Sequence, residues 1–521
     1  MLFTVRKGFY MVSRIFSSGI AGLDGYKVEV ECSVSSGLTT FEIVGLPDAS
    51  VKEARERVLS AIGSVGFDFP LGKVTVNLAP GNIKKEGSGF DLPISLSILI
   101  CSGALSQNSA DGYIFFGELS LDGSLRALPG VLPMVIASRE LGFTKVILPA
   151  ENAREAAVVK DVTVFGAENL HDVILHLSGV KEITPFYINQ QEYFSDDIKY
   201  TMDFADVKGQ ESVKRGLEIA AAGGHNCLMA GPPGSGKTLL ARSLPSILPS
   251  MTFEEALEVT KIHSIAGTLP KDKPFMSTRP YRAPHHSLSA TALTGGGRIP
   301  KPGEVSLAHN GVLFMDEFPE FSRTALEILR QPLEDGEVTV SRVNATITYP
   351  SNFILIAAMN PCPCGYFGDP SGQCTCSIQQ IHRYLSKISG PLLDRIDLQL
   401  NVQPVKYEHL TDERPAESSA QIRMRVNSAR NRQLERYKNE GIYCNADLSS
   451  EQLSRFCPLG ETEKTILEAA YKKFGLSARA YTRIVKVART IADLAGEEDI
   501  NYTHIAEAIN YRSLDKTLTH M

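Results

Sequence analysis

Apolar residues recur along this chain with two periods, every second position in short stretches and every third or fourth in longer ones, and the change of period marks out the elements. Residues 26–34 and 41–44 read as strands, 50–65 as a helix, 73–78 as an alternating strand, and 91–102 as an apolar helix with Pro93 in its first turn. The turn 45–48 leads into the first helix, which Asp48 or Ser50 is placed to cap. Residues 181–206 lose all periodicity and mix Pro185 with acids and aromatics, which is the composition of a linker. Beyond it, 211–222 predicts a helix closed by Gly223 and Gly224, 227–230 a buried strand, 239–244 a helix, and 252–255 the capping box of another. Residues 311–315 and 353–359 are apolar strands, and 338–343 with 345–349 alternate as a β-hairpin. From about residue 406 the pattern is helical, with its longest amphipathic stretch over 477–494.

Length and composition add little to the fold but narrow the setting. At 521 residues the chain exceeds what one core organises, and the length suggests about three domains. With 43% hydrophobic and 21% charged residues the composition is that of a soluble globular protein. No apolar run reaches the 18 or so residues of a membrane span. Residues 1–10 carry Arg6 and Lys7 but no apolar stretch long enough for a signal peptide, and Met11 is an alternative start. The expectation is a cytoplasmic protein with no membrane partner. A net charge of −6 means that nucleic-acid binding would depend on local patches.

The stretch richest in chemistry is Gly231, Pro232, Pro233, Gly234, Ser235, Gly236, Lys237 and Thr238, which satisfies G-x-x-x-x-G-K-[ST] at every fixed position. Strand, loop and helix follow in the order that a phosphate-binding loop requires. Glycines let backbone N–H groups turn inward on the phosphates, and the helix adds its positive end. Lys237 would reach the β- and γ-phosphates of ATP, and Thr238 would hold Mg2+. Asp316 and Glu317 end the apolar strand 311–315. Asp316 suits the magnesium, through water, and Glu317 the orientation and deprotonation of the attacking water. Asn360, at the end of 353–359, would lie beside the Asp316 strand in a parallel sheet and hydrogen-bond that water.

Two further features exceed a bare ATP site. Residues 261–309 hold seven Lys/Arg against two Asp/Glu, a local excess of +5. Cys362 and Cys364, then Cys374 and Cys376, form two C-x-C pairs nine residues apart. These four suit tetrahedral Zn2+, with reduced free thiols as the other reading. The remaining five of nine cysteines read as small core residues.

Several segments resemble known families. Residues 117–124, 128–132 and 146–152 resemble the magnesium-chelatase-like amino-terminal domain, whose fold is shared with the Lon peptidase domain. Lon enzymes use a Ser-Lys dyad, but Pro133 stands where that lysine would fall and Ser88 has no evident base. The resemblance therefore implies an inactive scaffold, with Lys73, Lys84, Lys85 and Arg126 read as solvated surface or as nucleic-acid contacts. The phosphate loop and paired acids resemble those of AAA+ ATPases, with Asn360 at the sensor 1 position. Residues 389–398 resemble the segment from which chelatase and minichromosome-maintenance motors project an arginine finger. That likeness implies that Arg395 completes a neighbouring subunit's site, the alternative being an intrachain ion pair to Asp394 or Asp397. Arg479 fits sensor 2, with Arg483 a second candidate and a solvated basic helix face as the rival reading. In helicases of this branch hairpins such as 338–349 grip nucleic acid, which implicates Arg298, Lys301 and Arg342, the alternative being an ordinary surface hairpin.

On residues 44–48, 279–297, 360–365 and 389–398 the chain is identified as a member of the YifB/ComM family of magnesium-chelatase-like AAA+ proteins. The family implies an α/β architecture with a Lon-peptidase-like α+β domain over 11–180, a linker over 181–205, a P-loop core with a parallel sheet over 206–405, and a helical lid over 406–521. It implies ATP and Mg2+ as cofactors, a homo-hexamer, and DNA, single-stranded or branched, as partner, while Zn2+ rests on the four cysteines alone. The activity implied is that of a helicase promoting branch migration in recombination or natural transformation. A magnesium-chelatase-type subunit driving metal insertion and a protein-remodelling ATPase are the competing classes.

Overall fold

The computed structural model describes residues 12–188, 200–270, 275–297, 300–342, 345–368, 372–405 and 416–512; Arg298 lies outside them. The chain divides into two compact units, Met1–Ser195 with Thr260–Ser277, and Asp196–Val259 with Thr278–Met521.

In the first unit the alternating segments build a four-stranded sheet in the order Val12–Ala21, Asp24–Ser35, Lys73–Ala79, Thr40–Val44, with only the last pair parallel. The helix Ala49–Ser64 begins where Asp48 accepts the Val51 N–H at 2.8 Å, a cap worth about 1 kcal/mol. The helix Asp91–Cys101 is buried along its whole length, as a helix apolar on all sides must be. Its one charge, Asp91, is clamped by Arg57 through bonds of 2.6 and 3.0 Å. A second, parallel sheet orders Tyr113–Phe115, Lys145–Pro149 and Thr163–Ala167.

Three features of this unit differ from the sequence reading. The strand Val12–Ala21 was not expected, because its buried Ser13, Ser17 and Ser18 hide the apolar period. Ser13 is accommodated by donating to the Ser97 carbonyl at 2.7 Å. Lys85 is neither solvated nor available to nucleic acid. It is fully buried, its ammonium donates to the carbonyls of Pro80 and Ile83, and burial pulls its pKa below the ordinary value. Residues Thr260–Ser277, expected within the ATPase core, segregate with this unit. The Gly130 N–H bonds the Ser264 carbonyl at 3.0 Å, and the Ser264 hydroxyl bonds buried Glu155.

The second unit is organised on a five-stranded parallel sheet in the order Tyr281–Arg282, Val312–Met315, Ile354–Met359, Cys227–Ala230, Leu398–Asn401. Cys227–Ala230 and Val312–Met315 are buried at every residue, which is why they read as continuous apolar runs without alternation. The helix Glu211–Gly223 stops at left-handed Gly224, whose N–H returns to the Ala220 carbonyl. The carboxyl-terminal part is helical, with Ser419–Arg436, Glu461–Phe474, Ala478–Ala495 and Tyr502–Asn510, and it shares one hydrophobic core with the sheet. No helix among the described residues is long and apolar enough to cross a membrane.

Candidate active site

The phosphate loop leaves the strand Cys227–Ala230 and enters the helix Lys237–Ser243. Gly234 and Gly236 take φ of +75° and +90°, a region that other residues enter only with strain, and this lets the loop curl. Lys237 turns back into the loop, its Nζ donating to the carbonyls of Gly231 at 2.8 Å and Pro232 at 2.9 Å and to Asn360 Oδ1 at 3.2 Å. Burial pulls the Lys237 pKa down, and the Asp316 carboxylate opposes the shift. Neutral acceptors hold this ammonium, and charged phosphate oxygens would bind it more strongly.

The strand Val312–Met315 runs parallel to Ile354–Met359, which in turn pairs with the phosphate-loop strand, so Asp316, Asn360 and Gly231 emerge at the same end of the sheet. That end is where ligands bind in open parallel sheets. Thr238 Oγ1 donates to Asp316 Oδ2 at 2.8 Å. A hydroxyl beside a carboxylate is an oxygen donor set that fits Mg2+. Glu317 follows with φ +52°, a left-handed conformation that is rare for a glutamate. Its carboxylate is solvent-accessible and lies 3.0 Å from His286 Nδ1.

His286 was not singled out by the sequence reading. The signal for it is topological: Tyr281–Arg282 pairs in parallel with Val312–Leu313, so the residues that follow it approach the end of the sheet carrying Glu317.

The arginines gather elsewhere. Arg395, Arg479, Arg483 and Lys486 line one cavity of about 670 Å3 with Glu334 and Asp397, and neither Lys237 nor Asp316 is among its lining residues. Arg395 is almost buried, donating to the Pro391 carbonyl at 2.7 Å and to the Glu334 carboxylate, while its Nε has no partner. The ion pair is therefore with Glu334, and not with Asp394 or Asp397, the partners suggested by adjacency. Asp397 is taken by Arg483 and by the Asn226 N–H at 2.9 Å. Against the effect of burial, Arg483 and His225 hold its carboxyl far below the usual range. Arg395 has its own pKa pulled down by burial and then by the neighbouring cations Arg479, Arg330 and Arg483. The geometry also separates the two sensor 2 candidates. Arg483 is spent on buried Asp397, whereas the Arg479 side chain is 60% exposed and only 4.0 Å from Asp394 in a loose pair.

The basic insertion is less open than its charge count implied. Arg279 grips Glu255 through two bonds of 3.0 Å, and Arg282 grips Glu304 through two of 2.7 Å. Lys301 and Arg342 stay exposed. Arg342 ends one strand of the antiparallel hairpin Glu337–Arg342 and Ala345–Pro350, and Lys301 lies in a second short hairpin with Gly295–Gly296. The buried Tyr349 hydroxyl donates to the Pro300 carbonyl at 2.8 Å and ties the two hairpins together.

Cys362, Cys364, Cys374 and Cys376 converge, with all four sulfurs within 4.8 Å of one another, as a metal-ligand set does. The other five cysteines are buried, as expected of core residues.

Three family matches cover most of the chain. Residues 203–410 match magnesium chelatase, subunit ChlI; 30–152 match subunit ChlI of Mg-chelatase; and 416–512 match the subunit ChlI carboxyl-terminal region. The chain is 44% identical to the competence protein ComM of Haemophilus influenzae, over 97% of this chain and 98% of that protein. It is 42% identical to the YifB protein of Escherichia coli, over 98% and 99%. To the magnesium-chelatase 67 kDa subunit of Chlorobaculum tepidum it is 29% identical over 30% of this chain and 23% of that protein.

Proposed function

This chain belongs to the YifB/ComM family of magnesium-chelatase-like AAA+ proteins, and from that premise we propose that it is an ATP-hydrolysing motor that moves along DNA. The observation that carries the reading is the division of the hydrolytic groups. Lys237, Thr238, Asp316, Glu317 and Asn360 meet at one end of the sheet, while Arg395 and Arg479 line a separate cavity. A chain bearing both halves apart completes a site by pairing its loop with the arginines of a neighbour. Repetition of that head-to-tail contact closes a ring, a hexamer by family likeness.

In the assembled site Glu317 accepts a proton from water as the water oxygen attacks the γ-phosphorus. The bond to the β–γ bridging oxygen breaks, and its electron pair leaves with the β-phosphate, against which Lys237 lies. Asn360 orients the water, and Arg395 stabilises charge on the transferring group. Mg2+, held by Thr238 and Asp316, would neutralise the β- and γ-oxygens. Zn2+ at the four cysteines completes the cofactor set.

DNA as cargo is supported by Lys301 and Arg342, exposed on two hairpins that Tyr349 ties together. Such cations bind the phosphate backbone without reading sequence. The ComM relative is named for competence, which fits a role in branch migration during recombination or transformation. The amino-terminal unit acts as a Lon-like scaffold without peptidase chemistry. The Ser88 hydroxyl bonds Glu118, and the ammonium of Lys85, three residues earlier in the chain, is occupied by backbone carbonyls.

ATPase assays with branched DNA, single-stranded DNA, casein or buffer alone, at low salt, test the reading. Stimulation by DNA is expected. Stimulation by casein alone would favour protein remodelling, and no response to either DNA would sink the proposal.

A further inference from the structure

The four-cysteine cluster is joined to the nucleotide site at two points. Cys362 lies two residues beyond Asn360, the residue whose Oδ1 accepts from Lys237 Nζ at 3.2 Å. The Gly365 N–H closes a turn onto the Cys362 carbonyl at 3.0 Å. Gly365 itself has φ +89°, and a Cβ built there would meet Pro233 Cδ at 2.5 Å and Cγ at 2.7 Å. The turn that carries the first two cysteines therefore lies directly on the phosphate loop.

The sulfurs are arranged for a metal. Cys362 Sγ is 3.3 Å from Cys364 Sγ and 3.8 Å from Cys374 Sγ, and Cys364 Sγ is 3.6 Å from Cys374 Sγ. A zinc tetrahedron with bonds of about 2.3 Å has sulfur–sulfur edges of about 3.8 Å. A disulfide would bring two sulfurs to about 2.05 Å, well inside these separations. Thiolate ligands in a tetrahedral set select a soft or borderline cation, and among abundant ions Zn2+ suits them best.

We propose that one Zn2+ at Cys362, Cys364, Cys374 and Cys376 clamps the turn 362–365 against Pro233 and fixes Asn360 beside Lys237, so that metal occupancy sets the affinity of the phosphate loop for nucleotide. The proposal rests on the nucleotide-site reading but not on DNA or on turnover. Cys374 anchors the turn from a segment ten residues along the chain, so metal loss frees the turn without altering any residue of the ATP site.

The test uses the full-length protein, with zinc measured by elemental analysis and nucleotide affinity by a fluorescent ATP analogue. Wild type is expected to hold about one Zn2+ per chain. Chelation, or Cys374→Ser, is expected to remove the metal and weaken nucleotide binding about tenfold, on the scale by which supporting residues around a site usually act. Zn2+ added back to chelated wild type is expected to restore the affinity. Gly365→Ala keeps all four ligands and is expected to retain zinc while weakening nucleotide binding. Zinc-free wild type that binds the analogue tightly, or metal loss with unchanged affinity, would overturn the proposal. If wild type failed to bind the analogue at all, the nucleotide-site reading would be at fault instead.

Discussion

Replacing Arg395 by alanine separates a catalytic role from a structural one. The guanidinium is 5% exposed, but its partner Glu334 is 56% exposed and can rehydrate once released. The lost ion pair itself therefore costs only about 1 kcal/mol of stability, because the carboxylate left behind is hydrated, and the bond lost from the Pro391 carbonyl adds about 1 kcal/mol more. An arginine acting on the γ-phosphate of a neighbouring site contributes about a thousandfold or more to turnover, or roughly 4 kcal/mol of barrier. The two magnitudes diverge enough to be told apart. Arg395→Ala should melt within a few degrees of wild type, bind nucleotide normally and lose at least a thousandfold in kcat. Mixing supplies the decisive assay. Lys237→Ala subunits retain the arginine but not the loop's ammonium, and Arg395→Ala subunits retain the reverse. In a random equal mixture roughly a quarter of head-to-tail contacts join an intact loop to an intact arginine, so about a quarter of wild-type activity should return. Arg395→Ala turning over normally by itself, or no recovery on mixing, would refute the reasoning.

Glu317→Gln keeps the shape of the site but removes the base, so it should bind ATP with little change while hydrolysis falls by about a hundredfold or more, read as unhydrolysed nucleotide retained on the protein. His286→Ala removes the group 3.0 Å from the Glu317 carboxylate and should lower kcat about tenfold with KM unchanged; His286→Asn should recover part of the loss. Lys301→Ala with Arg342→Ala should weaken single-stranded DNA binding uniformly across sequences and flatten the slope of log affinity against log salt by about 1.4, near 0.7 for each lost phosphate contact.

Local chemistry was legible in the sequence, and long-range pairing was not. The loop 231–238 carries its fold in its own glycines, and the buried strands announced themselves as apolar runs ending in Asp316 and Asn360. The parallel register that sets them side by side follows from the rules of α/β sheets. The partner of Arg395 did not follow, because Glu334 lies 61 residues away in the short helix Pro332–Asp335 while Asp394 and Asp397 stand adjacent. Lys85 illustrates the same limit: nothing in the run Lys84-Lys85-Glu86 says that its second lysine will be wrapped by carbonyls. Val12–Ala21 escaped because three buried serines break its period. The basic count of 261–309 misled in the other direction, since Arg279 and Arg282 spend their charge on Glu255 and Glu304.

The central claim is that ATP hydrolysis at Lys237, Asp316 and Glu317 moves DNA. Its most direct measurement follows strand exchange on a fluorescently labelled four-way junction in the presence of this protein. With ATP and Mg2+ the account predicts conversion of the junction to two duplexes, abolished by a non-hydrolysable analogue and by Glu317→Gln. A junction that persists under ATP turnover, or that is resolved equally well by Glu317→Gln, would contradict it.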